Sequence, residues 1–141
     1  MEREAILGAW RLASVSRRNA KDETRAASAE DYDGLLIYTA NGWMSATVSG
    51  RGRARFKSDD YRGGTPEETQ KALADYLSYC GRYTFDGDRV THHLEMSAFP
   101  NWVGTDQHRV ATLRDGQLVL GAPPILIDGD YWVYELVWRR L

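Results

Sequence analysis

Three Asx-Gly dipeptides, Asn41-Gly42, Asp86-Gly87 and Asp115-Gly116, each stand between short runs in which apolar and polar residues alternate. Asx-Gly supplies the positive φ angles of a tight hairpin turn, so each dipeptide marks two antiparallel strands. Paired residues share a face of the sheet, and the loop length therefore dictates which side chains look inward. With two-residue loops, Gly81, Tyr83 and Phe85 lie with Val90, His92, Leu94 and Met96, opposite Arg82, Thr84, Thr91, His93, Glu95 and Ser97. The first set is apolar and faces inward. It takes His92 and the Tyr83 hydroxyl with it and leaves His93 and Glu95 toward water.

The same rule around Asp115-Gly116 puts Gln107, Arg109, Ala111 and Leu113 on the face of Leu118 and Leu120. An arginine thus points inward, where stripping its water costs several kcal/mol unless an anion or several acceptors surround it. Around Asn41-Gly42 a two-residue loop pairs Leu35 and Ile37 with Met44, Ala46 and Val48 as the expected core face. Leu36, Tyr38, Trp43, Ser45 and Thr47 are left to pack a helix or line a cavity.

The remaining segments fit round these hairpins. A first strand opens at Leu7-Gly8-Ala9-Trp10-Arg11-Leu12 and runs to about Ser16. Residues 17–33 are polar without a strong period and read as a surface loop or short helix. Residues 49–64 are rich in glycine and arginine but lack the GxxxxGK[ST] spacing of a phosphate-binding loop, and a mobile flap is expected there. Thr65-Pro66-Glu67-Glu68 is a helix start with a capping box, and the spacing of Leu73, Tyr76, Leu77 and Cys80 predicts a helix to about Tyr79. Phe99 and Trp102 make the 98–104 break too apolar for an idle loop, so they are expected to close over something. The last strand, Tyr131 to Arg140, is expected to face Trp132, Tyr134, Leu136 and Trp138 inward.

About eight to nine strands with one inserted helix predict an all-β, up-and-down barrel, since closure removes exposed edges. A chain of 141 residues makes this a single domain over residues 1–141. A formal charge of −2 excludes the basic excess that nucleic acid or an anionic membrane favours. Five Trp and eight Tyr suit either an aromatic core or the wall of a small-molecule pocket. Cys80 stands alone, so no internal disulfide forms, and a reducing, cytoplasmic setting is expected. The first residues carry charges in place of a long apolar segment, and no run approaches the ~18 apolar residues of a membrane span.

Gly8-x-Trp10-x-Leu12, Leu36-Ile37-Tyr38-Thr39-Ala40-Asn41-Gly42-Trp43-Met44-Ser45-Ala46, His92-His93, Phe99-Pro100-Asn101-Trp102-Val103-Gly104-Thr105, Arg109 and Leu136-Val137-Trp138-Arg139-Arg140 occur in this order along nearly the whole chain. In this series the sequence resembles the bacterial and fungal lipocalin-like domain family. The resemblance implies a calycin-type β-barrel with a central cavity for small hydrophobic or aromatic ligands. It also admits cyclases or isomerases of secondary metabolism. In secreted lipocalins the opening Trp packs at the closed barrel end with a late Arg, a role the resemblance gives to Trp10 with Arg139 or Arg140.

No metal or cofactor is expected. His92 and His93 point to opposite faces, His108 lies opposite Arg109, and no Cys or carboxylate cluster has ligand spacing. Nor does any Ser occupy a GxSxG elbow. The expected ligand-binding residues are Tyr83, His92, Met96, Trp102, Gln107, Arg109, Trp132 and Tyr134. If the protein is an enzyme, His92, Arg109 and Tyr83 are the catalytic candidates, since arginine and tyrosine suit a carboxylate, enolate or carbonyl oxygen and histidine moves protons. Three readings stand open at this point: a carrier of a small hydrophobic ligand with an anionic or carbonyl group, a cyclase or isomerase using the same cavity, and a purely structural polar network.

Overall fold

The computed structural model describes residues 1–19, 21, 25–27 and 30–141. The alternating runs form ten strands: β1 (Gly8–Asn19), β2 (Arg25–Ala27), β3 (Tyr32–Tyr38), β4 (Trp43–Gly50), β5 (Tyr76–Asp86), β6 (Arg89–Ser97), β7 (Asp106–Arg114), β8 (Gln117–Gly121), β9 (Ile125–Ile127) and β10 (Asp130–Arg140). The eight longer strands pair antiparallel in the order β1-β3-β4-β5-β6-β7-β8-β10, and β10 returns to pair with β1. The sheet is therefore a closed, up-and-down barrel of eight strands, with β2 and β9 as short additions on β1 and β10. Among the described residues no helix is long and apolar enough to cross a membrane.

Because strand direction alternates, the turns at Asn41-Gly42, Asp86-Gly87 and Asp115-Gly116 fall at one end of the barrel, and the fourth Asx-Gly turn, Asp128-Gly129 between β9 and β10, falls at the other. A 3-10 helix, Arg3–Ile6, lies across the first of these ends. Arg3 Nη2 donates to the Ala40 carbonyl at 2.8 Å, and the Met1 amino group donates to the Gly87 carbonyl at 2.9 Å. Beneath it Ile6 and Trp10 are both 0% exposed, and Trp10 Nε1 donates to the Ile6 carbonyl at 2.9 Å. Of the two arginines considered as its partner, Arg140 is the one in place: its guanidinium sits 4.1 Å from the Trp10 ring centre and donates to the Leu7 and Ala5 carbonyls at 2.6 and 2.7 Å. The longer connections lie at the opposite end, including α1 (Pro66–Ala74).

Two of the three turn-derived registers hold. Tyr83 pairs with His92 and Gly81 with Leu94, while Leu113 pairs with Leu118 and Ala111 with Leu120. The third is off by one. Thr39 and Trp43 bond to each other, leaving a three-residue loop, Ala40-Asn41-Gly42, with Gly42 at φ 92°. Tyr38 therefore pairs with Met44 and Leu36 with Ala46, so Leu36 and Tyr38 turn inward and Leu35 faces out.

The helix is correctly started but shorter than its spacing predicts. Thr65 Oγ1 accepts from the Glu68 N–H, and Glu68 Oε1 accepts from the Thr65 N–H, closing the capping box. Yet it ends at Ala74, no residue in it is buried, and Leu73 is 52% exposed. Residues 76–86 have a second periodicity, that of a strand. Leu77, Tyr79 and Gly81 pair with Val48, Ala46 and Met44, which covers the edge of β4 and buries one face inside the barrel. The polar segment 17–33 is likewise more ordered than expected at its margins: Arg17, Arg18 and Asn19 extend β1, residues 25–27 form β2, and β3 begins at Tyr32. Residues 20, 22–24 and 28–29 of that segment lie outside the described residues.

β5 and β6 carry a bulge between Cys80 and Gly81, where Cys80 pairs with Met96 but Gly81 pairs with Leu94. A Cβ at Gly81 would run into the carbonyl oxygen of His93, so only glycine lets the two backbones approach this closely. Gly81→Ala is expected to destabilise the fold by about 2 kcal/mol or more, read from chemical denaturation. Trp10→Ala, which empties the closed end beneath Arg140, is expected to cost about 3–5 kcal/mol by the same measurement.

Candidate ligand-binding cavity

Inward residues of the barrel enclose a cavity of about 530 Å³. Its walls are mainly apolar, with Val15, Leu36, Ala46, Val48, Leu77, Leu120, Leu136 and Trp138 from the strands. The mouth is formed where the long connections meet: Asp75 and Tyr76 after α1, Pro123 and Pro124 between β8 and β9, and Trp102 on the 3-10 turn Pro100–Trp102. Trp102 packs edge-on against Phe99 and Tyr79, with ring centres 5.6 and 6.1 Å away. Few polar groups reach this interior, and they come largely from β5, β6 and β7.

His92 is the deepest of them, 1% exposed. Tyr38 Oη lies 2.6 Å from its Nε2 and Tyr79 Oη lies 3.0 Å from its Nδ1, so each ring nitrogen is held by a tyrosine. Burial, reinforced by the positive charges of Arg109 and His93, holds the His92 pKa well below the usual histidine range. The imidazole is neutral at neutral pH. Burial likewise raises the Tyr38 pKa well above the ordinary tyrosine value, which keeps the phenol protonated as a donor.

Arg109 follows from the β7 register: it pairs with Val90, diagonal to His92, and lines the cavity. Its Nη1 donates to the neighbouring His108 carbonyl at 2.7 Å. Among the described residues the ion pairs are Lys21–Asp130, Arg51–Asp33, His93–Asp106 and Arg114–Glu135, so no carboxylate is paired with Arg109. Gln107, opposite His92, also lines the cavity and donates through Nε2 to Thr105 Oγ1 at 3.0 Å. The indole Nε1 of Trp138 is buried without an acceptor among the described residues.

Of the residues expected from sequence, His92, Trp102, Gln107, Arg109 and Tyr134 come together around the cavity. Tyr83 faces inward but lies below it: its hydroxyl donates to the Thr39 carbonyl at 2.7 Å, and its ring packs against Tyr38 at the closed end. Met96 is 64% exposed, because the bulge at Gly81 reverses the parity on which its inward placement rested. Trp132 is half-buried beneath Arg17, whose guanidinium sits 4.5 Å from its ring centre, and it is absent from the cavity wall. His93 faces outward as expected, bonded to Thr84 Oγ1 and Asp106 Oδ1. Tyr38 and Tyr79 were missed. The one was hidden by the wrong loop length at Asn41-Gly42, the other by the helical reading of residues 75–79.

A barrel closed at one end and hollow at the other, with an apolar lining and a few convergent polar groups, is a container for a small hydrophobic ligand. The comparison with known sequences agrees. The profile of the lipocalin-like domain family matches residues 7–141, and the chain belongs to that family. It is also 36% identical, over 107 residues, to the 4'-hydroxy-3'-methoxypropiophenone carrier protein of Aspergillus oryzae, an alignment covering 70% of this chain and 96% of that protein.

The buried neutral histidine sets a pH dependence. Below about pH 6.5 the unfolded chain binds a proton at His92 that the folded protein refuses. Stability is expected to fall as the pH drops from there toward the lowered folded value, by at most ~1.4 kcal/mol per pH unit, and to be insensitive to this group above it. Melting curves between pH 8 and 5 check this: His92→Gln should flatten the slope, whereas His93→Gln should keep the His92 contribution.

Proposed function

We propose that the protein carries a small aromatic ligand bearing a carbonyl or phenolate oxygen, with the ring in the apolar cavity and the oxygen directed at Arg109. The observation that carries this reading is the inward Arg109, paired with no carboxylate among the described residues, in a wall that is otherwise mainly apolar. A guanidinium so placed favours an oxygen with negative charge or a strong dipole, which it holds through two directed N–H groups. The cavity size suits such a molecule, since ligand pockets range over about 300–1,000 Å³. The ligand in the relative's name is an aryl ketone with a phenol. His92, Gln107, Trp102 and Tyr134 would complete the contacts.

The cyclase or isomerase alternative needs a base free to take a proton from the ligand. Among the described residues His92 is the one histidine in the wall, with both nitrogens engaged by tyrosines, and the one carboxylate there, Asp75, lies at the mouth. This favours carriage over catalysis. A reducing, cytoplasmic setting belongs to the same proposal, on the grounds of the single cysteine.

Titration with 4'-hydroxy-3'-methoxypropiophenone, followed by tryptophan fluorescence, tests the reading, because Trp102 and Trp138 both line the cavity. Saturable 1:1 quenching is expected, with the ligand recovered unchanged. Arg109→Met should weaken binding by about tenfold or more while leaving the empty protein as stable or more so, and Arg109→Lys should weaken it less. Failure of this ligand and of simpler aryl ketones to saturate would reject the reading, and a chemically altered product would favour the enzyme.

A further inference from the structure

A neutral imidazole has one N–H and one lone pair, so the two tyrosines that touch His92 have opposite roles. Either Tyr38 donates to Nε2 and Nδ1–H donates to Tyr79, or Tyr79 donates to Nδ1 and Nε2–H donates to Tyr38. The two arrangements differ in which phenol keeps a spare proton. In the second it is Tyr38, 1% exposed, outside the cavity wall and with no acceptor but His92 among the described residues. A buried O–H without an acceptor costs about 1–3 kcal/mol. In the first it is Tyr79, which forms part of the cavity wall, where water or a ligand can accept a hydrogen bond from its O–H.

We propose that Tyr38 and His92 lock the Tyr79 hydroxyl as a hydrogen-bond donor facing the cavity, so that the site selects ligands presenting a carbonyl oxygen there. This rests on the carrier reading and gives it a second polar contact besides Arg109. All three bonds of the chain run one way, Tyr38 to His92 to Tyr79 to ligand, and each strengthens the next through polarisation. Tyr38 is a positioning residue: it touches no ligand and acts by fixing the His92 tautomer.

Two measurements test the proposal. The first is made on the empty, histidine-labelled protein by ¹⁵N nuclear magnetic resonance, with His92 assigned from the signal lost in His92→Gln. Protonated Nδ1 with bare Nε2 is expected, and the Nε2–H tautomer or a doubly protonated ring would overturn the relay. The second compares propiophenone with propylbenzene, which differ only in the carbonyl. Tyr79→Phe should lower affinity for the ketone by about tenfold and leave the hydrocarbon within about twofold. Tyr38→Phe, which removes no cavity-facing group, should mix the His92 tautomers and weaken the ketone by about threefold. Equal losses for both probes in Tyr79→Phe would overturn the carbonyl contact. If neither these probes nor 4'-hydroxy-3'-methoxypropiophenone binds the wild type, the carrier reading fails and the ligand preference with it. That result is distinguishable from failure of the relay because the tautomer is read without ligand.

Discussion

Nine residue pairs join β1 to β10, from Trp10 opposite Arg140 to Asn19 opposite Trp132, and they turn a sheet with two open edges into a ring. Everything functional depends on that closure. In an open sheet of this length, one face of each strand would need a second layer to bury it; in the ring, the inward faces bury one another. The same pairing brings the C-terminal Arg140 over Trp10, so the contact that plugs the barrel floor is made by the two strands that close its wall.

Closure also separates stability from recognition. Strand alternation sends the turns at Asn41-Gly42, Asp86-Gly87 and Asp115-Gly116, the N-terminal 3-10 helix and the Trp10–Arg140 contact to one end, where Ile6 and Trp10 are fully buried. The long connections collect at the other end and leave the cavity between them. Trp102 and the Pro123-Pro124 segment shape its mouth without contributing to the closing seam.

A polar group that faces the interior costs free energy unless it finds a partner, and the two central ones here differ in this respect. His92 is satisfied internally by Tyr38 and Tyr79, which makes it a fixed, neutral part of the wall. Among the described residues Arg109 donates to one carbonyl and is paired with no carboxylate. Two inward polar residues, read from adjacent hairpins by the same argument, thus stand in different surroundings: one is held on both sides by tyrosines, and the other is half-buried in the cavity wall.

Local chemistry decided much of this in the sequence itself. Asp86-Gly87 and Asp115-Gly116 fixed two registers, and with them the inward positions of His92, Gln107 and Arg109, since a turn constrains only its own two strands. The capping box at Thr65 fixed where the helix starts, and the turn-bounded apolar runs fixed an all-β barrel. Tertiary structure decided what depends on a third strand. Whether Asn41-Gly42 sits in a two- or three-residue loop changes the parity of β3, and the barrel settles it by burying Leu36 and Tyr38 against Met44 and Ala46. Whether residues 75–79 continue a helix or start a strand is ambiguous at both periods until β4 offers an edge to cover. Met96 leaves the interior through a bulge that exists because two backbones meet at Gly81. The pairing of His92 with Tyr38 and Tyr79 needed all of these at once, because hydrogen bonds between side chains on β3, β5 and β6 exist only when three registers are set together.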